Sequence, residues 1–143
     1  MFDLPIRSVM DKKKTLTAPP EATVSDVAKL MENRNVGAVM VVEKELLVGI
    51  FTERDAVFRV IAKGLDARTT RLMDVMTKSP QTVDPDKPYG YALLMMFENG
   101  FRHVPVIQNG KPVGIVSARN ALDPALDEFE CEVSRRKHIR GLR

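Results

Sequence analysis

With 143 residues, 44% of them apolar and 29% charged, the chain has material for one substantial core and too little length for two large domains. The longest apolar run, 36–42, falls far short of the ~20 residues of a membrane-spanning helix, and no basic-then-apolar leader opens the chain, so a cytoplasmic protein without a membrane segment is expected. The lone cysteine, Cys131, excludes an internal disulfide and a thiolate zinc site, and the formal net charge of +3 is too modest to mark the whole chain as a polyanion binder.

A short extended lead-in, 15–18, comes first. Val24, Val27, Ala28 and Met31 then fall at i, i+3, i+4 and i+7, an apolar helix stripe, with Ser25, Asp26, Lys29, Glu32 and Arg34 on the wetter face. The run 36–42 is rich in β-branched residues, and Glu43-Lys44-Glu45 separates it from a second apolar run, 46–51. This predicts two short buried strands joined by a polar turn. Thr52 is a good N-cap, Asp55 stands at N3 of a capping-box-like arrangement, and Ala56, Val57, Val60 and Ile61 precede Gly64, which suits a left-handed helix end. A polar linker, 66–70, follows.

The same series then recurs. The extended lead-in is 80–83, and Asn109-Gly110 between two apolar runs is a strong hairpin signal. Pro105 and Pro112 are expected at strand edges or ends. Ser117-Ala118-Arg119-Asn120 opens a helix as Thr52-Glu53-Arg54-Asp55 does. From Pro124 onward Leu126, Phe129 and Val133 recur at i, i+3 and i+7, predicting a final amphipathic helix whose stripe needs a partner surface. An acidic stretch (Asp123, Asp127, Glu128, Glu130) gives way to Arg135, Arg136, Lys137, Arg140 and Arg143 near the end.

The recurrence is gapless. Residues 17–55 align with 82–120, every pair 65 positions apart: Thr17 with Thr82, Pro20 with Pro85, Val24 with Tyr89, Val36 with Phe101, Val41 with Val106, Gly49 with Gly114, Thr52 with Ser117 and Asp55 with Asn120. A constant offset over so long a window means two copies of one structural unit. We therefore expect an α+β (α/β) protein made of a pseudo-twofold pair of units, each a short sheet packed with helices, divided as 1–66, 67–123 and a C-terminal segment 124–143. A unit of about 60 residues is marginal alone, so the two should fold as one body around a shared groove.

Two aligned copies of Gly-apolar-x-Ser/Thr-x-x-Asp/Asn, Gly49 to Asp55 and Gly114 to Asn120, resemble the cystathionine-β-synthase (CBS) domain family. The lead-ins Ser8-Val9-Met10 and Asp74-Val75-Met76 and the strand Arg102 to Val106 fit the same pattern, and the likeness covers roughly residues 7 to 122. The resemblance implies a paired CBS, or Bateman, module that dimerises and binds adenine nucleotides (AMP, ADP, ATP or NAD) in clefts between units, serving regulation rather than chemistry. It assigns Asp55 to ribose, and Thr52 and Ser117 to ribose or phosphate, with Arg54 and Asn120 in the same motifs. Leu16, Thr17, Ala18, Gln81, Thr82 and Val83 resemble the adenine-contacting lead-ins. Val36, Gly37 and Ala38 would form the opposing wall.

The residue chemistry agrees with that implication and leaves a plainer alternative. A loop entering a helix at Thr52 offers unpaired N–H groups to an anion, and the Asp55 carboxylate offers two acceptors for a ribose diol; equally, Thr52 and Asp55 serve as helix caps. Arg102, His103 and Arg119, with Pro105 on the same strand, are candidate ligand contacts, or ordinary surface side chains; Val36 reads equally as simple core. No Gly-x-Gly-x-x-Gly, P-loop or His-Glu-x-x-His occurs, and the two histidines, His103 and His138, stand in unrelated contexts. No catalytic residue and no metal ligand set is expected, and the chain is read as a regulator that is not an enzyme. An alternative is a nucleic-acid-associated regulator using the basic tail, although no aromatic residue is interleaved with its cations for stacking, so nucleic acid is a weak candidate beside a nucleotide and an unidentified protein partner. Leu93, Met95, Met96 and Phe97 are too many for one helix stripe, which points to a homodimer. Asp55 against Asn120 makes the two clefts unequal.

Overall fold

The computed structural model describes residues 1–11, 15–122, 132–133 and 135–136 of the chain. A single-turn helix α1 (Ile6–Val9) leads to strand β1 (Thr17–Ala18) and helix α2 (Val24–Arg34). The Thr23 hydroxyl accepts from the Asp26 N–H at 3.2 Å, and Asn35 ends α2 in the left-handed region at φ 52°. Strands β2 (Ala38–Glu43) and β3 (Leu46–Thr52) form the first hairpin. After helices α3 (Glu53–Asp55) and α4 (Leu72–Val75) and strand β4 (Thr77–Lys78), the second copy supplies helix α5 (Tyr89–Asn99), strands β5 (His103–Gln108) and β6 (Lys111–Ser117), and a 3₁₀ turn at Ala118–Leu122.

The first sheet runs β1-β2-β3-β4, with β1 parallel to β2 and the other pairs antiparallel. In the second half β5 pairs with β6, while single bridges at Val83–Val106 and Asp11–Ile115 stand where β1 and β4 stand in the first. Both hairpins slip register at the same place, between Val41 and Val42 and between Val106 and Ile107. Pro105 lies mid-strand, and both strands of its two-stranded sheet are edges, where a missing N–H is tolerated. The predicted helix from Thr52 to Gly64 departs from expectation: after one α-helical turn the chain widens into a π-helical stretch, Ala56–Ile61. There the Ala62 and Leu65 N–H groups donate five residues back, to Val57 and Val60 carbonyls at 2.8 and 3.0 Å. Gly64 ends it at φ 68°, as its composition suggests.

The halves are joined by exchange. Ile6 of α1 is fully buried in the second core with Val83, Tyr89, Met96, Val104 and Val116, whereas Leu72 and Val75 of α4 are buried in the first core with Val27, Val39, Phe51 and Val60. The main chain repeats the exchange: the Ile6 N–H donates to Lys87 O at 2.9 Å, and the Leu72 N–H donates to Ala22 O at 2.9 Å. Gly49 and Gly114 are explained by it. A Cβ on Gly49 would stand 2.5 Å from Met76 Sδ, and one on Gly114 2.8 Å from Met10 Sδ, the methionines that end the two exchanged helices. The hairpins also touch directly, through Leu47 N–H to Gly110 O at 3.3 Å and a Lys111–Glu45 ion pair at 3.3 Å.

No helix among the described residues is long and apolar enough to cross a membrane. The final amphipathic helix, the acidic stretch and Cys131 fall mostly outside the described residues; Glu132, Val133, Arg135 and Arg136 are helical, and Arg136 Nη2 lies 3.0 Å from Glu132 Oε1.

Candidate functional site: two clefts between the repeats

Capping chemistry places the two motif carboxamide and carboxylate groups. The Asp55 Oδ2 accepts from the Thr52 N–H at 3.0 Å and from its hydroxyl at 3.2 Å, while the Thr52 hydroxyl accepts from the Asp55 N–H at 3.3 Å. Asn120 copies this with an amide: its Oδ1 accepts from the Ser117 N–H at 2.8 Å and from the Ser117 hydroxyl at 3.2 Å. The Glu53 N–H is also taken, by Gly37 O at 3.0 Å, and the Ala118 N–H by Arg102 O at 3.0 Å. The expectation of a helix terminus offering its N–H groups to an anion is thus corrected for three of them, because the protein's own acceptors take those of Thr52, Glu53 and Asp55, and α3 is only one turn long. Asp55 keeps its other oxygen, Oδ1, which lies 3.4 Å from Arg59 Nε in an ion pair. Arg59 in turn donates to Met76 O at 2.9 Å and Val75 O at 3.3 Å, so a single cation ties the motif carboxylate to the exchanged helix.

Two clefts flank these motifs. The first, about 770 Å³, lies between α2 and the start of the 3₁₀ turn, and among the expected residues it is lined by Val36, Gly37, Arg102, His103, Ser117 and Arg119. The second, about 800 Å³, is lined by Thr52, Arg54, Asp55, Gln81, Arg102, His103 and Pro105. Both volumes fall within the ~300–1,000 Å³ usual for small-molecule sites. Leu16, Thr17, Ala18, Ala38, Thr82, Val83 and Asn120 line neither. Leu16, Ala18, Ala38 and Val83 are core residues. Strand alternation turns Thr17 outward on β1, Thr82 is half-buried, and Asn120 is spent behind Ser117.

The clefts differ through single residues. Met40 donates its N–H to Leu16 O at 2.9 Å; Pro105 stands at the matching place and has no N–H, so the Gln81 carbonyl, counterpart of Leu16's, receives no such bond. This carbonyl belongs to a residue lining the second cleft beside Pro105. His103 lines both clefts; burial pushes its pKa below the ordinary 6.5, with Glu53 pulling the other way and Arg102 adding to the depression. The Arg54 guanidinium lies over the Phe58 ring, 4.9 Å from its centroid. Sequence reasoning passed over Glu53, which lines both clefts, and Phe58, Ser79, Asn99 and Phe101 of the second. Glu53 sat inside the quoted motif at a position treated as variable, and Ser79 and Asn99 carry no signal before the chain is folded.

Known proteins share this fold. The CBS domain family model matches residues 6–62 and again 72–126. This chain belongs to the CBS-domain family. It is 35% identical over 127 residues to the CBS domain-containing protein CBSCBSPB5 of Arabidopsis thaliana, covering 88% of this chain and 23% of that protein; the chain therefore spans about a quarter of that relative's length. The crystal structure of an uncharacterized conserved protein from Pyrococcus horikoshii superposes with TM-score 0.80 at 30% identity, over 87% of this chain and 94% of the other. A CBS domain protein from Pyrobaculum aerophilum, solved in complex with AMP, matches with TM-score 0.74 at 26% identity, over 82% and 89%. CBS pairs are regulatory or signal-transduction modules.

Proposed function

We propose that this chain is an adenine-nucleotide sensor: AMP, ADP, ATP or NAD occupies the clefts between the repeats, and occupancy alters the surface offered to a protein partner. The observation that carries the reading is the second cleft. It joins a carboxylate oxygen shared with Arg59 (Asp55 Oδ1), two arginines (Arg54, Arg102), and a main-chain carbonyl released from its ladder by Pro105, groups suited to a ribose diol, a phosphate and a base amine. The AMP-bound relative supports the ligand class.

The mechanism is a population shift. Each cleft is walled by both halves, so a ligand that binds one relative setting of the halves better than another biases that setting. Among the described residues of the clefts no nucleophile stands with a positioned base, which favours sensing over catalysis. Phe97 (87% accessible) and Ile61 (70%) are exposed apolar side chains of a kind that a second copy would cover, and a homodimer is part of the proposal. Calorimetric titration with AMP, ADP, ATP, NAD and S-adenosylmethionine tests the reading; micromolar to sub-millimolar binding by an adenine nucleotide supports it, and no heat from any at about 1 mM, a concentration giving only about −4 kcal/mol of binding, removes it.

A further inference from the structure

The two clefts meet at three side chains, Glu53, Arg102 and His103, each of which lines both. Glu53 opens α3, and its carboxylate leans over Gly37: Oε1 would stand 3.1 Å from a Cβ placed there. At the matching positions of the second repeat Glu53 becomes Ala118 and Gly37 becomes Arg102. The repeat symmetry is thus broken in charge at the junction of the clefts. One half contributes a carboxylate over a glycine, and the other an arginine beside a methyl group.

Charge on the walls is balanced. Glu32, Glu53, Arg102 and Arg119 line the first cleft, and Glu53, Arg54, Asp55 and Arg102 the second. Among the described residues each therefore sets two arginines against two carboxylates, with His103 common to both, and Glu53 is the carboxylate common to both. Since the N–H groups at Thr52, Glu53 and Asp55 are used within the protein, phosphate recognition falls mainly to arginine side chains. Two arginines match the roughly two negative charges of a monophosphate. A longer phosphate chain brings further charge: within the second cleft no third arginine meets it among the described residues, and extension toward the first cleft brings it to the junction where Glu53 stands.

We propose that Glu53 is a specificity-determining residue that selects an adenine nucleoside monophosphate over the di- and triphosphates. The inference rests on the nucleotide reading above and adds to it the length of phosphate chain. Asp55 also opposes anions but is tied to Arg59 and lines one cleft only. Glu53 forms no ion pair of its own among the described residues, and unlike Glu32, which lines the first cleft alone, it lines both clefts.

Calorimetry on the full chain, with AMP and with ATP in buffer freed of Mg²⁺ by chelation, reads the effect in wild type, Glu53→Gln and Glu53→Asp, each shown folded by circular dichroism. Wild type is expected to favour AMP by about tenfold. Two extra charges about 7 Å from a carboxylate in a water-like medium change an equilibrium roughly 5- to 10-fold, so Glu53→Gln should narrow the preference by that factor, mainly by tightening ATP, while Glu53→Asp keeps it. An AMP-to-ATP ratio unmoved in Glu53→Gln, or lost equally in Glu53→Asp, overturns the role of Glu53 and leaves nucleotide binding intact. Failure of every variant, wild type included, to bind either nucleotide overturns the nucleotide reading and this inference with it.

Discussion

Asp55 and Asn120 hold the same place in the two repeats and make the same cap bonds, yet only Asp55 carries a charge. Because Asn120 already shows that an amide oxygen can accept from the N–H and hydroxyl of its cap, Asp55→Asn should preserve the helix start. What it removes is the charge toward Arg59 and toward a ribose. Hydrogen bonds to charged groups contribute about 1 kcal/mol more than neutral ones, so AMP binding should weaken about fivefold, whereas Asn120→Ala should weaken it less. Equal losses in the two folded variants, measured by calorimetry, would make both residues caps and nothing else. His103 gives a second residue-scale prediction. Its folded pKa lies below the ordinary 6.5 because burial disfavours the imidazolium, so the unfolded chain takes up the proton first as pH falls. The stability that neutral His103 contributes is complete above that value and is lost as pH drops through 6.5 toward the lower folded value. Urea midpoints at about pH 7.5 and about pH 5.5 should therefore converge in His103→Gln relative to wild type. An equal fall in both proteins would contradict the assignment.

At the scale of the element, the two hairpins solve one turn with different residues. Asn109 and Gly110 adopt φ 56° and 77°, as a tight hairpin turn requires, and Lys44 and Glu45 adopt 51° and 67° with side chains ill suited to that region. A left-handed residue bearing a Cβ costs about 1–2 kcal/mol, and the exposed Glu45–Lys111 pair returns no more than about 1 kcal/mol. Grafting Asn-Gly onto 44–45 should therefore stabilise the protein by about 1 kcal/mol, read as a rise in Tm of roughly 2–5 °C; an unchanged or lower Tm would mean that the tip contact between hairpins outweighs backbone strain. The hairpins themselves were legible, since apolar runs on either side of a polar pair specify them. The helix after Thr52 was legible at its start and misread beyond it. Ala56, Val57, Val60 and Ile61 suit an amphipathic α-helix, but the π-helical stretch buries Val60 and leaves Val57 and Ile61 exposed, a choice made by packing rather than by propensity. In the site, the residues next to each cap could be read from the repeat, whereas of the lead-in residues only Gln81 lines a cleft: which lead-in residue does so depends on strand register, and Leu16, Thr17 and Ala18 all face elsewhere.

The whole molecule is held together by what each half lends the other. The repeat suggested two units side by side, and nothing in the pattern around Ile6 or Leu72 said that each short helix would pack on the opposite core. That exchange is decided by chain connectivity, which periodicity does not record. Segments 1–66 and 67–143, prepared separately, should accordingly fail to fold on their own, because the first lacks Leu72 and Val75 and the second lacks Ile6; mixed, they should recover native circular dichroism and cooperative melting. Cooperative unfolding of either segment alone would show that the exchange is dispensable. The same exchange puts Met76 and the carbonyls held by Arg59 behind the second cleft, so a ligand pressing on Asp55 presses on the junction between halves. Crystallising the full chain with saturating AMP tests this account most directly. It predicts AMP in the second cleft, with the ribose hydroxyls on Asp55 Oδ1, the phosphate toward Arg102 and the base against Gln81 and Pro105. AMP seated outside both clefts, or clefts empty in crystals of a protein that binds AMP in solution, would contradict it.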